Sequence, residues 1–128
     1  MNPVELKYSK EHEWAKVDGN VVTLGITDHA QHSLGDVVFV ELPNEGDGVT
    51  AGKAYGTVES VKAVSDLVAA VSGSVLEVNQ KVMDSPEILN SDPYGEGWLI
   101  KLQADELSPL EAMMTAGEYD KFLAEEEH

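Results

Sequence analysis

A chain of 128 residues with 42% hydrophobic content is sized for one domain with one core, taken here as 1–128, and is too apolar for general disorder. Its 8 basic and 24 acidic residues give a net charge of −16. That field disfavours nucleic acid and anionic membrane surfaces, favours partners with basic docking faces, and helps keep a small protein soluble and monomeric. There is no cysteine, so disulfides, thiolate metal sites and cysteine nucleophiles are excluded, and any thiol chemistry must be imported with an attached group.

Taken in chain order, Glu13–Val17 and Val21–Ile26 read as strands, joined by the hairpin signal Asp18-Gly19-Asn20. Asp28-His29-Ala30-Gln31 reads as a capping box opening a short helix, with Asp28 as N-cap and Gly35 placed to end it. Val37–Leu42 is a β-branched strand stopped by Pro43, and Glu45–Val49 is a turn region. A strand through Ala54–Glu59, a second from Asp66 to Val71 and a third over Gly73–Val78 follow. Ser85–Asn90 reads as one helical turn with Ser85 as N-cap, and Gly97–Leu102 as the last strand. Ser108-Pro109-Leu110-Glu111 reads as a second capping box, with Leu110, Met113 and Met114 on one helical face. After Gly117, Tyr119, Phe122 and Leu123 form a further apolar stripe, read as core packing of a helix, before the acidic end Glu125–His128. Many short strands with regular glycine turns predict a mainly β sandwich or small barrel, with a β core over about 7–104 and a helical segment over about 108–126.

No apolar run approaches the length of a membrane span. The start has neither a signal-peptide pattern nor the arginine-rich character of a transit peptide, so the chain reads as cytoplasmic and bacterial, the alternative being a mature mitochondrial form. Of the four histidines His12, His29, His32 and His128, only His29 and His32 have helical spacing. No cysteine or H-E-x-x-H pattern accompanies them, and no metal is expected. Glu13, Glu59 and Asp66 are candidate carboxylates, but 24 acidic residues make chance pairs common. No serine lies in a G-x-S-x-G elbow, and Gly46-Asp47-Gly48 is not followed by G-K-[ST]. The sequence therefore supplies no complete active site. What stands out is Lys62, at the tip of a hairpin framed by β-rich sequence from Gly56 and by the turn Ser72-Gly73-Ser74. A lysine there clears the body of the domain, and acylation would turn its amine into an amide-linked tether. The competing reading is an ordinary solvated lysine.

The chain resembles the glycine cleavage H-protein family of lipoyl carriers. The motifs that carry the resemblance are His12-Glu13-Trp14, Gly25–Gln31, Leu34–Pro43, Val58-Glu59-Ser60-Val61-Lys62-Ala63, Ser65-Asp66, Ser72-Gly73, Asp92–Trp98 and the acidic C-terminal helix, over about 7–126. The resemblance implies a hybrid barrel-sandwich of the lipoyl/biotinyl-carrier type with short helices and a C-terminal helix. It implies lipoate attached to Lys62, and a carrier rather than an enzyme. The arm would take an aminomethyl group of glycine from the P protein (a pyridoxal-phosphate decarboxylase) to the T protein (a folate-dependent aminomethyltransferase). The L protein (dihydrolipoyl dehydrogenase) would then reoxidise it. A lipoate-attaching enzyme is a further implied partner, and Glu59 is expected to serve its recognition. Glu13 and Asp66 match positions that line a cleft sheltering the loaded arm. Three alternatives accompany this: a relay donating lipoyl groups to other enzymes, a biotin carboxyl carrier, and a non-carrier β-domain binding through its acidic face. The biotin reading is disfavoured because Lys62 lies between Val61 and Ala63 rather than between methionines.

Overall fold

The computed structural model describes residues 2–126. Nine strands form two antiparallel sheets: β1 (Lys7–Tyr8), β2 (Glu13–Asp18), β3 (Val21–Ile26), β4 (Val37–Glu41), β5 (Gly48–Val49), β6 (Ala54–Ser60), β7 (Val64–Val68), β8 (Gly73–Val78) and β9 (Ile100–Ala104). The larger sheet runs β1-β2-β3-β9-β8-β5, the smaller β4-β6-β7. Helices α1 (Asp28–Leu34), α2 (Gln80–Asp84), α3 (Ile88–Ser91) and α4 (Ala116–Glu126) and a 3₁₀ turn over Ser108–Ala112 complete it.

Alternation along the strands sends one face of each sheet inward. Leu24, Ile26, Val75, Ile100 and Leu102 from the larger sheet and Val37, Val40, Val58 and Leu67 from the smaller one join a single buried cluster. This is the mainly β barrel-sandwich with short helices and a C-terminal helix that the resemblance implies. A second cluster, Leu6, Tyr8, Trp14, Ala116 and Tyr119, fastens α4 to β1 and β2, with Tyr8 and Tyr119 stacked at 4.8 Å. Gly25 and Gly73 are required by close approach. A Cβ at Gly25 would lie 2.4 Å from the Trp14 ring, and one at Gly73 would lie 2.2 Å from the Gln103 carbonyl oxygen.

The structure corrects several local expectations. The N-cap of α1 is Thr27, whose hydroxyl accepts from Ala30 N, while Asp28 lies inside the helix and accepts from Gln31 Nε2. Gly35 ends that helix at φ 77°, as its placement predicts. β7 starts at Val64, not Asp66, because the preceding turn is tighter than the sequence suggests. Ser85 is not an N-cap: α3 begins at Ile88, after the Ser85 carbonyl has accepted from Ile88 N. Ser108-Pro109-Leu110-Glu111 makes a 3₁₀ turn with no side-chain cap, and Met113 lies in extended backbone beyond it. The capping box forms instead at Thr115 and Glu118, where Thr115 Oγ1 accepts from Glu118 N and Glu118 Oε1 accepts from Thr115 N. The short elements β1, β5 and α2 carry too few residues for a periodic signal. Of the acidic end, Glu127 and His128 lie outside the described residues.

Candidate functional site

β6 and β7 are joined by only three residues, Val61-Lys62-Ala63, and Ser60 sets their path. The Ser60 backbone N–H donates to the Ala63 carbonyl at 2.8 Å. Its hydroxyl accepts from the N–H groups of both Lys62 and Ala63 at 3.1 Å and donates to the Ala63 carbonyl at 3.3 Å. Ser60 is buried, whereas Val61, Lys62 and Ala63 are exposed. A second anchor comes from outside the hairpin, where Val61 N donates to the Asp36 carbonyl at 3.0 Å. The Lys62 stem lies over Gly35, so close that a Cβ there would meet Lys62 Cε at 2.9 Å. Asn90 holds that supporting loop, accepting from Val37 N and donating to the Gly35 carbonyl and to Gln31 Oε1. Lys62 therefore stands on a fixed base with its amine in solvent.

Beside this base runs a cleft of about 150 Å³ between α1 and β7, lined by Ala30, Ser33 and Leu34 on one side and Ser65, Asp66 and Leu67 on the other, with His12 and Glu13 among its walls. Glu13 also lines an adjoining cavity of about 200 Å³ with Trp14, Ala69 and Met113. Glu13 is buried, and one oxygen, Oε2, accepts from Val68 N at 2.9 Å, so the side chain bridges the two sheets. The other oxygen, Oε1, is buried with no hydrogen-bond partner. Burial pushes the Glu13 carboxyl up to about 8, against the smaller opposing effect of the Val68 N–H. The sequence suggests a carboxylate here. The structure makes it a neutral acid near pH 7 until a cation or donor reaches Oε1. The Tyr55 hydroxyl is likewise buried without a partner. Burial raises its pKa, with a contribution from the charge of Glu13.

The other sequence-derived candidates are distributed around these features. Asp66 lies on β7 opposite Thr57, exposed, in the cleft wall. Glu59 is exposed in the middle of a register row, between Phe39 on β4 and Val64 on β7. Phe39, Val61 and Val64 are themselves 52%, 66% and 66% exposed, an apolar surround to the tip that periodicity does not reveal. His29 and His32 do not come together. His32 Nε2 faces Asp28 Oδ2 at 3.4 Å, whereas His29 turns towards His12 and Glu126. The roles of Ser60 and Asn90 escape sequence reading, because a short polar residue carries no signal of which backbone groups it will meet.

The glycine cleavage H-protein family model matches residues 6–126. The chain belongs to the glycine cleavage H-protein family. It is 56% identical over 124 residues to the glycine cleavage system H protein of Carboxydothermus hydrogenoformans, covering 97% of this chain and 95% of that one. It is 54% identical over 123 residues to that of Staphylococcus saprophyticus, covering 96% and 98%. A crystal structure of a glycine cleavage system H protein from Mycobacterium marinum superposes with a TM-score of 0.89 at 40% identity, covering 96% of this chain and 99% of that one. The family comprises lipoyl carriers of the glycine cleavage system and not catalysts, and the chain is a carrier component of that kind. The relay, biotin-carrier and non-carrier alternatives are not favoured. No helix among the described residues is long and apolar enough to cross a membrane.

The Glu13 carboxyl carries a testable cost. Its folded pKa, about 8, lies above the ordinary value of 4.5, so the folded state binds the extra proton between these values. The contribution to stability is complete below about pH 4.5 and is lost as pH rises through about 8. Chemical denaturation of wild type and Glu13→Gln across this range should show wild type losing stability relative to the variant by on the order of 4 kcal/mol. Parallel pH profiles would mean that Glu13 is already ionised when buried.

Proposed function

We propose that Lys62 carries the lipoyl group, joined through an amide at Nζ, and that the arm shuttles the aminomethyl group of glycine from the P protein to the T protein before reoxidation by the L protein. The carrying observation is the tip itself: an exposed amine on three residues whose backbone is held by Ser60 and by the Asp36 carbonyl. The residues fit the group. Lys62 is exposed, its stem has a glycine-floored bed at Gly35, and the buried Glu13 carboxyl, whose Oε1 has no hydrogen-bond partner, lines the adjacent cleft. When attached, the lipoyl disulfide supplies the sulfur that accepts the aminomethyl group and the dithiol that is reoxidised.

The chain's own residues orient and shelter. Ser60 and Gly35 direct the lysine stem. Leu34 and Leu67 give the cleft apolar walls that limit water. Glu13 and Asp66 offer acceptors to a protonated amine. An ammonium beside Glu13 Oε1 favours the ionised carboxyl and offsets its desolvation, whereas an uncharged arm gains nothing from it. Glu59, flanked by Phe39 and Val64, lies where an enzyme attaching lipoate must pass, and we assign it to that recognition. The lipoate-attaching enzyme and the three glycine cleavage proteins are the proposed partners of a monomer acting in the bacterial cytoplasm.

Lys62→Ala should abolish glycine-dependent carbon dioxide exchange with the P protein while shifting unfolding free energy by no more than about 0.5 kcal/mol, since the side chain has no core role. Glu59→Gln should slow lipoylation at unchanged stability. Retained exchange in the first variant, or a wild-type lipoylation rate in the second, contradicts the respective assignment.

In protein loaded with the aminomethyl group, Glu13→Gln and Asp66→Asn should speed spontaneous release of ammonia and formaldehyde. Glu13→Gln should have the larger effect, because an exposed pair such as one made by Asp66 contributes only about 0–1 kcal/mol. Equal release rates in all three proteins would leave the apolar walls alone as the shelter.

A further inference from the structure

Beside the cleft, and sharing His12 with its wall, a cluster of ligand-type side chains converges on a point. His12 Nε2 lies 3.3 Å from Glu126 Oε1, and His29 Nε2 lies 3.9 Å from the same oxygen. The three donor atoms fall within 4.8 Å of one another. They come from three elements: the turn before β2, the first turn of α1 and the last turn of α4. The imidazoles are close, with ring centroids 4.3 Å apart.

The orientation of His12 is fixed from behind. Its Nδ1 is 2.8 Å from the Tyr119 hydroxyl, which is 2.8 Å from Thr27 Oγ1. With Nδ1–H donating to the Tyr119 oxygen and the Tyr119 O–H donating to Thr27, the Nε2 lone pair is left pointing at Glu126. Such a hydrogen bond on the far nitrogen sets the tautomer of a metal-bound histidine. His12 also holds φ 64°, an uncommon conformation for a residue other than glycine, and its carbonyl accepts from Thr27 N at 3.0 Å. In that tautomer of His12, a metal ion at this point would be within reach of His12 Nε2, His29 Nε2 and the Glu126 carboxylate at once. A proton can satisfy only one pair of them, whereas a divalent cation satisfies all three.

We infer that His12, His29 and Glu126 form a binding site for a divalent transition-metal ion of the zinc class, with water in the remaining position. Two imidazole nitrogens and one carboxylate are a donor set suited to Zn²⁺ and do not suit Mg²⁺ or Ca²⁺, which take oxygen ligands. The ion would tie the end of α4 to β2 and α1 beside the cleft that His12 also lines. Sequence spacing pairs His29 with His32; His12 and Glu126 are 114 positions apart and come together where Tyr119 of α4 packs against His12.

The experiment is titration of the full, untagged chain with Co²⁺ and Zn²⁺. Visible absorption should report a four- or five-coordinate Co²⁺ site with nitrogen ligands, and Zn²⁺ should displace the Co²⁺. His29→Ala and Glu126→Gln should each weaken binding about tenfold or more, Tyr119→Phe about tenfold through the lost support, and His32→Ala not at all. Glu126→Gln changes an exposed side chain near the end of α4 and serves where another variant fails to fold. One-to-one binding that follows this pattern supports the site. Absence of saturable binding, binding undiminished in both His29→Ala and Glu126→Gln, or equal loss in His32→Ala overturns it.

Discussion

The constraint on which the rest depends is the three-residue turn between β6 and β7. A turn so short leaves its backbone groups little choice of partner, and the Ser60 hydroxyl takes two of the N–H groups at once. Because the turn is fixed internally and also tied to the Asp36 carbonyl, the direction of Lys62 becomes a property of the fold and not of a flexible loop. A carrier needs this combination. The attached arm must be free to swing, but its base must present the same face to each enzyme that meets it.

The cleft shows the complementary economy. Burying Glu13 in a β core is unfavourable, and half of its hydrogen-bonding capacity is spent on joining the two sheets through Val68. The remaining oxygen has no hydrogen-bond partner. Beside a buried carboxyl of that kind an ammonium would favour the ionised form, whereas an apolar group would not. The net charge of −16 acts at longer range, and can speed encounter with basic partner faces without specifying which residues meet.

Much of this was legible in the sequence. The strands around β2, β3, β4 and β8 follow from alternation and from the turn at Asp18-Gly19-Asn20, and Gly35 marks the end of α1 correctly. The position of Lys62 is readable from the flanking strands, and family motifs frame it. What stayed hidden was long-range or polar. The true capping box at Thr115 and Glu118 has the same chemistry as the pattern at Ser108 and Glu111, and only Pro109 and the following extended residue distinguish their outcomes. The acid form of Glu13 depends on burial against β7, far away in sequence. Asn90, an unremarked polar residue in a short helix, proves to hold the loop beneath Lys62, because partners from α1, from its C-cap Gly35 and from β4 converge on it.

The most direct test of the central claim is intact-mass analysis with peptide mapping after treatment with a lipoate-attaching enzyme. One lipoyl increment is expected, located on the peptide containing Lys62, on protein whose fold is unchanged. An unmodified mass, or an increment on any other lysine, would contradict it.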